Sequence, residues 1–450
     1  MSVTFIVLPR HEGTRIQVHE PLMAHRLHAS ERLEVVLSVP MSPLSSNFPD
    51  FAVSCGEEGS DPLIHYEGSE IRVDQFRSSR HFENRDADLA DVANLGIRVW
   101  RYGMPWRLSE PSEGTYDWTL WDAAFESCRR NGLEPVVDLL HFGLPDHYQG
   151  FSDRRWVDGF IRYVEAFLQR YPDPVWFTPV NEPGITATFS ARFGMWNDRT
   201  ASDETYYECL GNIVLANLEA LALIRSDRDG WWISSEGFGC ALLGDDDDQA
   251  KVESINARDM EWLVWDLHFG VEPRGQALNA LDVINGSDLD RIGELSRSVP
   301  ADRVVAGHDI YPISVTPYGS RADRPVSITD RLGAYVATAR EWYERYDREF
   351  WVSETSNLGL TVDEGPAWLT ELTESLYSMR GEGLPVRGVC WYSRGDQYDW
   401  DSALTLPLGK VTEVGLFDAD RRARPVSLVM ADLARRHPFD PTTTADERGA

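Results

Sequence analysis

The sequence predicts an α/β protein, a (β/α)8 TIM barrel with a short N-terminal extension, and three observations carry that prediction. From about residue 51, short runs rich in Val, Ile and aromatics alternate with longer amphipathic stretches. The apolar runs are continuous rather than alternating, which suits a parallel sheet covered on both faces. Eight such runs follow in series and no G-x-G-x-x-G comes after the first, which favours a closed barrel over an open dinucleotide-binding sheet.

The predicted strands are, in order, 51–55 (FAVSC), 97–103 (IRVWRYG), 134–142 (EPVVDLLHF), 175–182 (VWFTPVNE), 231–236 (WWISSE), 303–314 (RVVAGHDIYPIS), 349–354 (EFWVSE) and 386–393 (VRGVCWYS). Helical periodicity fills 85–95, 118–131, 153–171, 203–226, 328–347 and 366–380. The interval 237–302 is the longest between strands and is expected to carry inserted loops or short helices. Residues 1–46 stand outside the rhythm. Their runs TRIQVHE and LEVVLSV read as two strands of a hairpin, and residues 47–438 form the expected catalytic barrel. The polar tail 439–450 is expected to be disordered.

Composition narrows the function. With 43 Lys and Arg against 73 Asp and Glu, the formal charge of −30 argues against nucleic acid or an anionic membrane as a partner. No apolar run approaches the roughly 20 residues that span a bilayer. The opening MSVTFIVLPRHEGTRIQ has no basic stretch ahead of its short apolar run, so a cytoplasmic location is the expectation. The five cysteines form no C-x-x-C pair, which argues against a disulfide framework or a zinc cluster. Asp245–Asp248 lacks the spaced ligands and turn glycine of a calcium loop and reads as a solvated loop. No metal or other cofactor is expected. Homo-oligomerisation is left open. Sixteen Trp, many beside polar residues, suit packing and also the faces of sugar rings.

The strand ends carry the chemistry. Arg101, His141, Asn181-Glu182, Glu236, His308 to Tyr311, Glu354 and Trp391-Tyr392 all close apolar runs. In a barrel those ends converge on one face, where barrel enzymes place their sites. Glu182 and Glu354 lead, because two facing carboxylates suit glycoside hydrolysis: one protonates the leaving oxygen while the other attacks the anomeric carbon or activates water.

The ordered segments NLGIRVWRYGMPW, LLHFGLPDHY, FTPVNEPGIT, FWVSETSN and RGDQYDW resemble family 1 of the clan A glycoside hydrolases, over most of residues 47–436. That resemblance implies a (β/α)8 barrel acting on β-linked glucosides and galactosides with retention, and hence a carbohydrate substrate. Thr178–Pro183 is similar to the family's T-x-N-E-P, which implies Glu182 as acid/base and Asn181 on the sugar 2-hydroxyl. Ser353-Glu354-Thr355-Ser356-Asn357 partly matches T-E-N-G and implies Glu354 as nucleophile, oriented by Arg101. The motif H-W-D-x-P resembles the run from His141 to Pro145, which puts His141 on sugar hydroxyls. The family's W-S-L-x-D-N-x-E-W resembles the run from Tyr392 to Trp400. Asp399 and Trp400 would then grip the 4- and 6-hydroxyls, with Tyr392 or its neighbour Trp391 as stacking platform.

The departures bear on the sugar pocket. SCGEEGSDP replaces the family's Gln-x-Glu-Gly and leaves Glu57 or Glu58 for the glycone, Phe142 stands where the family has Trp, and the grip carboxylate is the shorter Asp399. N-Y-Y becomes Asp309-Ile310-Tyr311, with Tyr311 the candidate to touch the nucleophile. These changes point to a divergent, β-glucosidase-like branch with an altered glycone preference. Two rivals stand beside the hydrolase. A metal-dependent barrel hydrolase would use His141, Glu182, His308 and Asp309, but the H-x-H expected on strand one is absent. A catalytically silent sugar-binding barrel would have no need of both carboxylates for binding alone, and a transglycosylating barrel is the further alternative.

Overall fold

A computed structural model describes residues 47–244, 248–322 and 324–439. The expected hairpin of the N-terminal extension, nearly all of the tail and most of the Asp245–Asp248 run lie outside the described residues.

Eight parallel strands close on themselves. They are β1 (Ala52–Glu58), β2 (Val99–Gly103), β3 (Glu134–Asp138), β4 (Trp176–Thr178), β5 (Trp231–Ile233), β6 (Val304–Asp309), β7 (Phe350–Thr355) and β8 (Val386–Tyr392). Each pairs with its sequence neighbours, and β1 closes the ring by pairing with both β2 and β8. A helix follows every strand: α1 (His81–Asn94), α2 (Thr119–Asn131), α3 (Arg155–Arg170), α4 (Asp203–Asp227), α5 (Asp248–Phe269), α6 (Ile328–Tyr346), α7 (Gly365–Gly381) and α8 (Pro425–Arg436). Their ends follow capping chemistry. Ser202 accepts from the Thr205 amide ahead of the acidic first turn of α4, and Gly132 ends α2 at φ 63°, a conformation easiest for glycine.

Strand alternation sorts the core into two layers. Val99, Val136, Trp176, Ile233, Val305 and Trp351 fill the barrel interior, with Phe48 set edge-on against Trp176 and Trp351. Their neighbours Trp100, Val137, Phe177, Trp232 and Val304 pack outward under the helices. Above the apolar floor the inward positions turn polar: Arg101, Asp138 and Asp309.

Two expectations need correction. The long interval after β5 holds a full 22-residue helix, α5, preceded by a strand, Cys240–Leu243, that pairs in parallel with Val315–Tyr318. Its periodicity is hidden because every residue from Trp262 to His268 is buried. α4 is also long and apolar enough, by composition, to cross a bilayer. However, 72% of its apolar window is buried among the other elements, as befits a core helix.

Candidate active site

Local backbone irregularities aim the two leading carboxylates. β4 ends at Thr178, and the chain runs on through Asn181, whose amide donates to Leu140 O (2.9 Å), and Glu182, whose amide donates to Ser235 O (3.0 Å). Glu182 sits at φ 38°, a left-handed conformation that a residue other than Gly adopts only when its surroundings impose it. Glu236 supplies part of that framework. Its buried carboxylate accepts from the amides of Gly184 (2.8 Å) and Gly237 (3.0 Å). A Cβ on Gly184 would lie 2.9 Å from Glu236 Oε1, so a larger residue there would displace that carboxylate. Glu236 is therefore a loop anchor rather than a solvated residue at the rim.

On β7, strict alternation from the inward Trp351 would turn residue 354 away from the barrel interior. The pairing of β7 with β6 shifts register between Trp351 and Glu354, and Glu354 pairs with Asp309. That irregularity lets Ser353 and Glu354 both face the interior, a familiar use of a bulge beside a reactive group.

Arg101, wholly buried, organises the floor. Its Nη1 donates to Glu354 Oε1, and its Nη2 donates to Asn181 Oδ1 and to Asp138 Oδ2 (3.1 Å). Asp138 in turn accepts from His141 Nδ1 (2.8 Å), which fixes the imidazole plane. Tyr311 Oη donates to Glu354 Oε2 (2.7 Å), so cation and phenol converge on one carboxylate. Asp309 accepts from Ser235 Oγ (2.6 Å) and Ser353 Oγ (2.5 Å). Asp138 and the two serines are the members that sequence reasoning missed. The inward register of β3 points to Asp138, but nothing local marks Ser235 or Ser353.

Environment separates the acids. Burial first, then the charges of Asp309 and Glu354, push the Glu182 carboxyl well above the ordinary glutamate range. Burial, then the Glu354 charge, raises Asp309 to about 7. The carboxylate oxygens of Glu182, Asp309 and Glu354 lie within 4.8 Å of one another, a spacing that could accommodate a cation. Arg101, Tyr311 and the two serine hydroxyls already serve Glu354 and Asp309, so proton sharing describes the trio better. His308, a rival metal ligand, faces the helix layer instead. It stacks on Phe238 and Phe350, and burial depresses its pKa well below the usual value.

A cavity of about 940 Å³ opens over this floor. His141, Glu182, Tyr311, Glu354, Tyr392 and Trp400 line its inner end, with Arg101 and Asn181 directly beneath. Besides Asn181, three predicted sugar contacts do not line it. Glu57 is buried and accepts from the Gly395 amide (3.1 Å), and burial raises it to about 7. Asp399 accepts from the amides of Gly409 (2.9 Å) and Lys410 (2.8 Å), and Trp391 donates to Val414 O (2.9 Å) from full burial. Tyr392, rather than Trp391, is therefore the aromatic face at the cavity.

Comparison with known proteins agrees with this architecture. The family model described as glycosyl hydrolase family 1 matches residues 65–241. An aryl-phospho-beta-D-glucosidase (BglA) of Bacillus subtilis is 34% identical over 20% of this chain and 21% of its own length. Beta-glucosidase A of Acetivibrio thermocellus is 27% identical over 32% of this chain and 34% of its own. The chain thus spans only a fifth to a third of these curated relatives in sequence. In structure, a family 1 β-glucosidase from Thermotoga maritima superposes with a TM-score of 0.72 at 14% identity, covering 88% of this chain and 100% of that one. A β-glucosidase from Exiguobacterium marinum does so with a TM-score of 0.71 at 14% identity, over 87% and 99%. The fold and the ordered motifs agree with that match to glycosyl hydrolase family 1 over residues 65–241.

Proposed function

We propose that the protein is a retaining β-glycosidase working by double displacement, with Glu354 as nucleophile and Glu182 as acid/base. One observation carries the reading: two carboxylates face each other at the ends of barrel strands β4 and β7 in opposite electrostatic settings. Glu354 receives a guanidinium and a phenol, while Glu182 is buried among acids and holds its proton. Oxygens within 4.8 Å suit direct attack on the anomeric carbon. An inverting pair would stand roughly 6.5–9.5 Å apart to admit water between acid and base.

In the first step Glu354 bonds to the anomeric carbon as the aglycone oxygen leaves with the proton of Glu182. In the second, water attacks that carbon, gives its proton to Glu182 and releases Glu354. Protonated Glu182 is required for the first step, so formation of the glycosyl-enzyme slows as pH rises through its raised pKa.

The mouth favours an apolar aglycone. Phe193, Leu243, Ile255 and Ile313 line the outer cavity at 54%, 40%, 45% and 61% exposure, where a sugar in that position would call for polar partners. β-Glucosidase and aryl-phospho-glucosidase relatives support a β-glucoside or close analogue. With Glu57 and Asp399 committed elsewhere, the glycone is held mainly by His141, Asn181, Tyr392 and Trp400.

A panel of aryl β-glycosides assayed with and without EDTA tests the reading. Metal-independent turnover that disappears in Glu354→Ala is expected. Sugar binding without turnover on any panel member would replace it with the silent barrel, and turnover abolished by EDTA with the metal-dependent hydrolase.

A further inference from the structure

The third carboxylate of the floor, Asp309, has no part in the two steps as written, yet it is built in with care. It lies beside Glu354 in register, and each of its oxygens accepts a serine hydroxyl. Donors on both oxygens favour its charged form over its neutral one. Its oxygens also lie within 4.8 Å of those of Glu182. Glu182 faces acids from three other elements: Glu236 just beyond β5, Asp309 on β6 and Glu354 on β7. Of these, Glu236 already has two amide donors of its own. The cation of the floor, Arg101 on β2, is directed at Glu354, Asn181 and Asp138, and Tyr311, past the end of β6, is directed at Glu354.

The two steps make opposite demands on Glu182. It must carry a proton when the aglycone leaves and be ionised when water attacks. Where only a nucleophile faces the acid/base, esterification removes the neighbouring charge and with it part of the acid's hold on a proton. Here the ester of Glu354 is neutral and no longer raises Asp309, so above about pH 7 Asp309 keeps its charge beside Glu182.

We propose, resting on the double-displacement reading, that Asp309 is a positioning residue for the proton of Glu182 and acts through both steps, so that breakdown of the glycosyl-enzyme limits turnover at neutral and mildly alkaline pH. Having given its proton to the aglycone, Glu182 takes another from solvent, and while it holds that proton it cannot accept the proton of the attacking water. The covalent glycosyl bond to Glu354 Oε then persists until Glu182 releases its proton to solvent. The same Asp309 extends the first step to higher pH, because the acid form of Glu182 survives there.

A dinitrophenyl β-glycoside, whose leaving group needs no proton, separates the steps. At about pH 8, where Asp309 is ionised, the protein should release a burst of one aglycone per site and then turn over slowly. In Asp309→Asn, which keeps the shape and an acceptor oxygen, the burst should shrink. Steady-state kcat at about pH 8 should then rise about tenfold, as expected when a limb of the profile moves by about one unit on loss of a neighbouring like charge. An unchanged burst and an unchanged acidic limb of kcat in a folded Asp309→Asn protein would overturn the proposal.

A second measurement needs no turnover. In Glu354→Gln, where the nucleophile is neutral, the titration of Glu182 can be followed by NMR of ¹³C-labelled glutamate carboxyls. Adding Asp309→Asn should lower the Glu182 midpoint, and an unmoved midpoint would contradict the inference. The arms are distinguishable: absence of any turnover would sink the glycosidase reading, while the titration still reports on Asp309.

Discussion

The floor of the barrel and the loop that follows β8 use the same residue types to opposite ends. On the floor, Arg101, Asp138, Glu182, Asp309 and Glu354 turn their charged groups toward one another beneath an open cavity. In the loop, the Asp399 carboxylate is spent on the amides of Gly409 and Lys410, and Glu57 of β1 reaches across to the Gly395 amide. Arg101, Asp138, Asp309 and Glu354 stand on strands whose backbone groups pair with their neighbours, which leaves them few backbone donors to satisfy. Loop side chains must first satisfy a chain that has no ladder partners, and their acids become scaffold.

That contrast can be broken at either side, and the largest effect is expected on the floor. Glu354→Ala should lower kcat at least about 10⁴-fold with little change in the unfolding midpoint, read by steady-state kinetics and thermal melting. Arg101→Lys comes next. A single ammonium cannot reach Glu354, Asn181 and Asp138 together, so activity should fall about 100-fold and stability by about 3–5 kcal/mol in urea unfolding. Tyr311→Phe removes one hydrogen bond to a charged acceptor, worth about 1.5–3 kcal/mol, and should lower kcat/KM about 10- to 100-fold. Asp399→Ala is the smallest kinetic change. It should lose about 1–3 kcal/mol of stability while KM for a short aryl glycoside holds within about twofold. A large rise in KM there, without loss of stability, would return Asp399 to the sugar and erase the contrast.

The same difference governs what the sequence revealed. Strand ends such as FTPVNE and FWVSE were legible because a carboxylate closing a buried apolar run needs a partner, and the barrel supplies only one place for it. Arg101 and His141 followed by the same logic. The register shift that turns Glu354 inward has no local signature, nor do the hydroxyls that Ser235 and Ser353 turn to Asp309. Motif likeness carried Glu57, Trp391 and Asp399 toward the sugar, but their polar atoms bond to backbone groups of distant loop residues, which no motif encodes. α5 was missed for a third reason: burial of consecutive residues erases the helical period.

The central claim is that Glu354 forms a covalent bond to the sugar while Glu182 manages the proton. Intact-protein mass spectrometry after incubation with an activated 2-deoxy-2-fluoro-β-glycoside tests it most directly. The account predicts a single added fluoroglycosyl group that peptide mapping places on Glu354, absent from Glu354→Ala. Turnover of the parent glycoside with no adduct and with inverted product, or an adduct on another carboxylate, would contradict it.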